Sequence, residues 1–424
     1  MIKILKTSET TPAELFERTT QTGDVTEVVR EIIDNVRRGG DKALFAYTEK
    51  FDRAKLTSLE VSDGEFDDAF KTVEPAFLDI LKEAAENIRE FHKNQIRSGF
   101  VMSDKPGVVT GQKVLPIEKV GIYVPGGTAA LASTVLMNAV PAKLAGCRDI
   151  IMATPCGSDG KIIPEILAAA KIAGVSRIFK LGGAQAVAAL AYGTESVPQV
   201  DKIVGPGNQY VAEAKRQVFG RVAIDMIAGP SEILIIADKS ANPKFLAADL
   251  LSQAEHDKLA TAVLITDCAE LAKEVAEEVE KQLSVLKREE IARASIERNG
   301  KIIIAESIAE AIDISNEIAP EHLEICTESP FDHLADIKNA GSIFLGHSCP
   351  EPLGDYLAGP NHTLPTSGTA RFSSPLSVDD FIKKSQFTYY TAEAFGKVAE
   401  KVAAFAEKEG LGAHARSATV RIDG

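Results

Sequence analysis

No stretch of this 424-residue chain approaches the roughly 20 consecutive apolar residues of a membrane-spanning helix. The N-terminus, MIKILKTSETTPAELF, has neither a long apolar core nor a small-residue cleavage site, so no leader is expected and the expected location is cytoplasmic. Runs of Lys and Arg are missing as well. With a net charge of -14 and a pI near 5.2, the chain is not expected to bind nucleic acid. Cysteine is scarce: Cys147, Cys156, Cys268, Cys326 and Cys349 are scattered, odd in number and form no CxxC, which excludes a disulfide framework and a thiolate zinc knuckle. There is no GxGxxG, hence no standard dinucleotide fingerprint, and no HExxH, which removes the usual signature of a zinc hydrolase.

What is present is an ordinary globular composition, 45% hydrophobic and 25% charged, with length enough for two or more cores. Residues 25–95 read as helix, with Val28, Val29, Ile32, Ile33 and Val36 on one face and a break at Gly39 and Gly40. From residue 106 the pattern alternates: KVGIYV, RDIIMATP, RIFKL and KIVG as strands with helices between them, then a second round through EILIIAD, TAVLITD, GKIIIA and GSIFLG. STVLMNAVPAKLAGCRDIIMATP and KFLAADLLSQAEHDKLATAVLITD both run from a helix into an apolar strand, which suggests a duplication. The expected fold is α/β: two similar incomplete Rossmann-like parallel-sheet domains with a helical N-terminal region and a small C-terminal tail domain. The expected boundaries are 1–105, 106–229, 230–350 and 351–424. The tail is irregular from Glu351 and helical from about Thr391 to Lys408, packs poorly alone, and is expected to reach onto a neighbouring chain.

Four polar segments are candidates for the chemistry. In APEHLEI, Glu321 and His322 follow Pro320, whose fixed φ suits a helix first turn or a tight connection, and the pair is read as two proton-handling groups at one exposed bend. In SQAEHD, the helix has an apolar stripe of Ala247, Leu250, Leu251 and Ala254, while Asp249, Gln253 and His256 fall at i, i+4 and i+7 on another face. Gln253 and His256 can thus reach one point, a spacing suited to a metal. Partners from afar are His362 with Asp355 in LGDYLAGPNHTLPT, and His414 with Glu409 in EGLGAHAR; His92, His333 and His347 read as structural or surface. Three glycine turns, VPGG (124–127), LGGAQA (181–186) and VGPGN (204–208), sit at the carboxyl ends of strands, where backbone N–H groups can approach a phosphate.

VGIYVPGG, LGGAQA, VGPGN, AGPSE, LSQAEHD, APEHLEI, GDYLAGPNHTLPT and EGLGAHAR, in this order, closely resemble the L-histidinol dehydrogenase family over residues 25–421. The resemblance implies oxidation of L-histidinol through L-histidinaldehyde to L-histidine with two NAD reduced, one zinc per subunit, and a homodimer with swapped tails and shared sites. It implies Gln253, His256, Asp355 and His414 as zinc ligands, with His414, Glu409 and His362 supplied by the partner. Ser231, Gln253, His256, His322, Asp355, His362, Glu409 and His414 would contact substrate, and Tyr123, Gln185 and Asn208 would bind NAD. His322 would be the general base, with an imidazole pKa near 6.5, and Glu321 would activate water. Pro360, where relatives often have Thr, and the stretch around Cys349 depart from the pattern. The alternative is a related zinc- and NAD-dependent dehydrogenase acting on another amino or sulfonated alcohol. An aldehyde dehydrogenase using Cys147 or Cys156 is a further class to weigh.

Overall fold

The computed structural model describes residues 2–17, 23–126 and 131–422. Numbered along the chain, the strands begin with β1 (Lys3–Lys6), β2 (Phe100–Met102), β3 (Val108–Pro116), β4 (Lys119–Tyr123), β5 (Asp149–Thr154) and β6 (Arg177–Lys180). They continue with β7 (Lys202–Val204), β8 (Ala223–Ile224), β9 (Glu232–Ala237), β10 (Thr261–Thr266) and β11 (Lys301–Ile304). β12 (His322–Cys326), β13 (Ser342–Leu345) and β14 (Ile382–Tyr390) close the series. The chain divides into two compact units, Met1–Gln95 with Ile117–Phe381, and Ile96–Pro116 with Ile382–Gly424.

The first unit holds two parallel sheets, ordered β6-β5-β4-β7-β8 and β1-β11-β10-β9-β12-β13. With β1 set aside, both have the same order: the first strand of each round is central, two strands follow on one side and two on the other. That shared order bears out the two similar Rossmann-like halves read from the sequence. Strands such as Ile233, Leu234, Ile235 and Ile236 are buried on both faces, because helices cover a parallel sheet on each side. In the first sheet the return from β6 to β7 makes a switch point between β4 and β7; in the second the return from β11 to β12 makes one between β9 and β12.

The N-terminal helices pack on the first sheet's covering helices: Thr26–Phe51 on Gly183–Tyr192, and Pro75–His92 on Ala132–Ala145. Helix Thr26–Phe51 bends at Gly40, where φ is 52°, as the Gly39-Gly40 break leads one to expect. Three expectations change. Residues 3–6 are a strand, which adds β1 to the edge of the second sheet beside β11. The segment 382–390, read as irregular, is strand β14, and Glu351–Tyr356 is a short helix. IKKSQFTYY lacks a clean apolar alternation because its hydrogen bonds, rather than burial, hold it. Last, APEHLEI is no exposed bend: residues 322–326 are a fully buried strand between β9 and β13.

In the second unit β14 pairs antiparallel with β3, and β3 with β2. Helix Ala392–Lys408 is capped by Thr391 and ends in a Schellman turn, with Gly410 at φ 75° and the Leu411 N–H bonded to the Ala406 carbonyl at 2.8 Å. That turn folds helix Gly412–Thr419 back on its neighbour. Among the described residues, their shared core is Ala403, Ala406, Ala415 and Ala418 with Phe395 packed against it, while Phe405 and Val402 are exposed.

Candidate active site

In a crossover connection the helix runs from the carboxyl end of one strand back to the amino end of the next. Helix Pro243–Ala254, between β9 and β10, therefore delivers Gln253 and His256 to the amino edge of the second sheet. Helix Ile308–Ile318 likewise ends at the amino end of β12, where Ala319 turns in the left-handed region at φ 52° and Pro320 leads into the strand. Glu321 and His322 thus sit at the start of β12, opposite the edge that Rossmann-like sheets ordinarily use. Both are buried, at 7% and 4% exposure, which corrects the reading of a solvent-facing pair.

The ring of His322 is fixed by its Nδ1, 2.9 Å from the Glu232 carbonyl oxygen. A carbonyl only accepts, so Nδ1 carries the proton and Nε2 keeps its lone pair. Nε2 has no hydrogen-bond partner among the described residues and points at Glu351 Oε1, 3.6 Å away. Glu321 Oε2 accepts the Glu232 N–H at 2.9 Å and lies 3.6 Å from His322 Nδ1. Residue 232 therefore orients both members of the pair through its backbone. Ser231, just before it, binds the Thr261 N–H through its carbonyl.

Burial sets the protonation of the site. It lowers His322 to about 4, so the imidazole is neutral at working pH rather than poised near 6.5. Burial also raises Glu321 well above an ordinary carboxyl, helped by the charges of Glu232, Asp355 and Glu351 and opposed by the Glu232 N–H. Glu351 is pushed up to about 8 by burial and by the neighbouring Asp355. Burial acts against the charge of Asp355 too, yet the bond to His362 and the imidazoles of His322 and His256 hold it at about 2. The carboxylate Oδ1 of Asp355 lies 3.4 Å from His362 Nδ1.

A pH effect follows from His322. The unfolded chain takes up its proton near 6.5 and the folded chain only near 4, so this group erodes stability as pH falls from about 6.5 toward 4. Between pH 7 and pH 5 its share is about 2 kcal/mol. Urea unfolding of metal-free wild type and His322→Leu at the two pH values measures it: the wild type should lose more by that amount, and equal losses would contradict a buried neutral imidazole.

Alternation along β12 puts His322, Glu324 and Cys326 on one face, under helix Pro243–Ala254 and the short helix Glu351–Tyr356. Glu324 accepts the Glu351 N–H at 2.8 Å and lies beside Asp249, which burial raises to about 6. Gln253 is 1% exposed, and neither amide atom has a hydrogen-bond partner among the described residues; it lies against Glu351. The apolar stripe of Ala247, Leu250, Leu251 and Ala254 is buried as expected, while His256 lies one residue beyond the helix cap and is exposed. Among the described residues, His322, Glu351 and Asp355 each offer a donor atom within 4.8 Å of the others, a grouping able to hold a metal ion. Glu351, Glu324 and Glu232 were not singled out in the sequence; the alternating H-L-E-I-C run is the signal that points to Glu324.

The glycine turns meet at the carboxyl edge of the first sheet. Tyr123, 4% exposed at the end of β4, accepts the Gly183 N–H through its hydroxyl at 3.0 Å, and Gln185 lies buried in the first turn of helix Gly183–Tyr192. A Cβ at Gly205 would stand 2.1 Å from the Tyr123 carbonyl oxygen, so only glycine allows that approach. Asn208 caps helix Gln209–Val218, accepting the N–H groups of Tyr210 at 3.0 Å and Val211 at 3.2 Å. Tyr123 thus touches both the turn that carries Gln185 and the loop that leads to Asn208. Gly127 lies outside the described residues. Asp52, overlooked in the sequence, adds a half-buried carboxyl here, raised to about 6 by burial.

The other histidines sort clearly. His92 is fully buried, with Nδ1 2.7 Å from Gln95 Oε1, and its Nε2 faces Asn361, which also bonds the Met137 carbonyl at 2.6 Å and so steadies the residue before His362. His347 is on the surface and His333 is half-buried. Cys147 and Cys156 are pushed up to about 11 by burial, leaving no reactive thiolate for a thiol-based aldehyde dehydrogenase. Glu409 and His414 belong to the second unit, where both line a groove of about 930 Å³ beside Phe395, Val402, Phe405 and Leu411.

Residues 16–422 match the family model described as histidinol dehydrogenase. A histidinol dehydrogenase of Clostridium acetobutylicum is 57% identical over 95% of this chain and 93% of its own length. One from Bacillus thuringiensis subsp. konkukian is 57% identical over 99% of this chain and 96% of its own. The crystal structure of histidinol dehydrogenase from Elizabethkingia anophelis superposes with a TM-score of 0.94 at 41% identity, covering 100% of this chain and 98% of that one.

Proposed function

Because the chain belongs to the histidinol dehydrogenase family, oxidoreductases of the last step of histidine biosynthesis, we propose that it takes L-histidinol through L-histidinaldehyde to L-histidine with NAD and zinc. One observation carries the reading: two buried proton-handling groups, Glu321 and His322, are oriented by the same residue, with Glu321 Oε2 3.6 Å from His322 Nδ1. Two oxidations with a hydration between them require two such groups.

His322 Nε2, unprotonated and unpartnered, takes the alcohol proton as the carbinol C–H bond breaks. NAD, held by Tyr123, Gln185 and Asn208, would supply the hydride acceptor. With Oε2 engaged by the Glu232 N–H, Glu321 turns Oε1 to a water and removes its proton, so that hydroxide adds to the aldehyde carbon. Burial raises the proton affinity of this carboxyl above the ordinary range, which makes its ionised form a stronger base for this than an exposed carboxylate. Once His322 has released its first proton to solvent, it accepts a proton from the diol as the second hydride leaves the same carbon. Ser231, His362 and Glu409 contact the substrate.

Gln253, His256 and Asp355, with His414 of a partner chain, would hold the zinc. The buried, orphaned amide of Gln253 and the low-lying carboxylate of Asp355 fit a cation there. The ion would neutralise the acid cluster and grip the imidazole and amino nitrogens of the substrate. For NAD, the tight glycine approaches at 182 and 205, with Tyr123, Gln185 and Asn208 around them, fit a cofactor laid over the switch point. The small alanine core of the tail and its exposed Phe405 support a tail that completes a partner's site in a homodimer.

The shared site is tested by mixing His322→Ala with His414→Ala protein under conditions that exchange subunits. Each variant alone should be nearly inactive, and the mixture should regain part of the wild-type rate, because one composite site in the heterodimer is intact. No recovery, with exchange demonstrated by native mass spectrometry, would mean that each chain builds its own site.

A further inference from the structure

Lys215 and Asp225 form an ion pair whose side chains are 2% and 1% exposed. Lys215 Nζ donates to the Gly205 carbonyl at 3.0 Å, and the Gly205 N–H donates to Asp225 Oδ2 at 2.8 Å. The pair therefore grips both polar groups of one glycine. Asp225 Oδ1 also accepts the Met226 N–H at 2.7 Å, which anchors it just past β8. Lys215 lies two turns along the helix that Asn208 opens, so this helix is tied back to Gly205, three residues before its own cap. Gly205, at φ 115°, presses on the Tyr123 backbone, and Val204 pairs with Ile122. The clamp thus sits between β4 and β7, at the switch point of the first sheet.

Replacing a buried ion pair with apolar residues of similar size is often neutral or stabilising, so such a pair is weak evidence of a role in stability alone. Here its bonds converge on the one glycine through which Tyr123 and the 205–208 loop touch. We propose that Lys215 and Asp225 are positioning residues for the dinucleotide: by fixing the peptide groups of Gly205 they set the loop, and with it Tyr123 and Asn208, in the geometry that receives NAD. The inference rests on the reading that Tyr123 and Asn208 bind NAD.

The test is the double substitution Lys215→Met with Asp225→Leu in the zinc-loaded enzyme, alongside the milder Asp225→Asn and, as a control on the underlying reading, Asn208→Ala. Loss of preorganisation should raise the KM for NAD, and the Kd for NADH read by fluorescence, about tenfold in the double variant and less in Asp225→Asn. The KM for histidinol, the bound zinc and the urea midpoint should stay near wild type, and kcat at saturating NAD should change far less than KM. A purely structural pair would instead lower stability, zinc content and kcat together, and that result overturns the proposal. So does wild-type NADH affinity in either clamp variant. If the double variant does not fold, Asp225→Asn decides on the same readouts. If Asn208→Ala binds NADH as wild type does, the NAD reading fails and takes the clamp with it; weakened binding there, with an unaffected clamp variant, sinks the clamp alone.

Discussion

His322→Ala is expected to slow the oxidation of histidinol and of histidinaldehyde alike, by about 10²- to 10⁴-fold, the usual loss when a general base is removed. The reason is geometric: Nδ1 is held by the Glu232 carbonyl, so Nε2 is the nitrogen that can face the reacting hydroxyl in both steps. Glu321→Gln separates the steps. The amide keeps the size of the side chain and can still accept the Glu232 N–H, but it cannot deprotonate water. Alcohol oxidation should therefore remain close to wild type while oxidation of supplied histidinaldehyde falls by a similar 10²- to 10⁴-fold. Steady-state NADH formation with each substrate checks both variants. Equal slowing of both steps by Glu321→Gln would show one residue of the pair doing both tasks.

Removal of the metal has the second large effect. Strong chelator should take activity to the background, with recovery on adding Zn²⁺, because the buried acids Glu321 and Glu351 and the half-buried Asp355 crowd one another and a cation relieves that repulsion. Two donor sets compete for the ion. The family resemblance points to Gln253, His256, Asp355 and His414, whereas His322, Glu351 and Asp355 lie within one unit of the fold. His256→Ala should lower bound zinc and turnover together, and Glu351→Gln should leave zinc content unchanged. Elemental analysis of the purified variants reads this directly. Full zinc in His256→Ala with loss in Glu351→Gln would move the ion onto the second set and remove His322 as a base.

Much of this was legible in the sequence, for identifiable reasons. Four strands of each round are legible because parallel sheets are apolar on both faces, as in the run EILIIAD. The stripe of Ala247, Leu250, Leu251 and Ala254 gave the helix that carries Gln253. β12 escaped notice because a strand that begins His-Leu-Glu breaks the local rule that buried strands are apolar, and such breaks fall where a site needs charge inside. β14 escaped for the opposite reason: it is held by the ladder to β3, with most side chains in water, so composition carries little signal. Glu351 was invisible as a site residue because what makes it one, a carboxyl 3.6 Å from His322 Nε2, is a contact between two distant elements. The position of the pair at the amino edge of its sheet also could not be read locally, since it depends on where two crossover helices return.

The central claim is that one chain runs two oxidations with a hydration between, divided between His322 and Glu321. The most direct test is the yield of NADH per L-histidinol consumed, with NAD in excess, for wild type and for Glu321→Gln over the time of the first oxidation. The wild type should give two NADH per histidinol and Glu321→Gln a value approaching one, with histidinaldehyde accumulating. One NADH from the wild type, or two from Glu321→Gln at the wild-type rate, would contradict it.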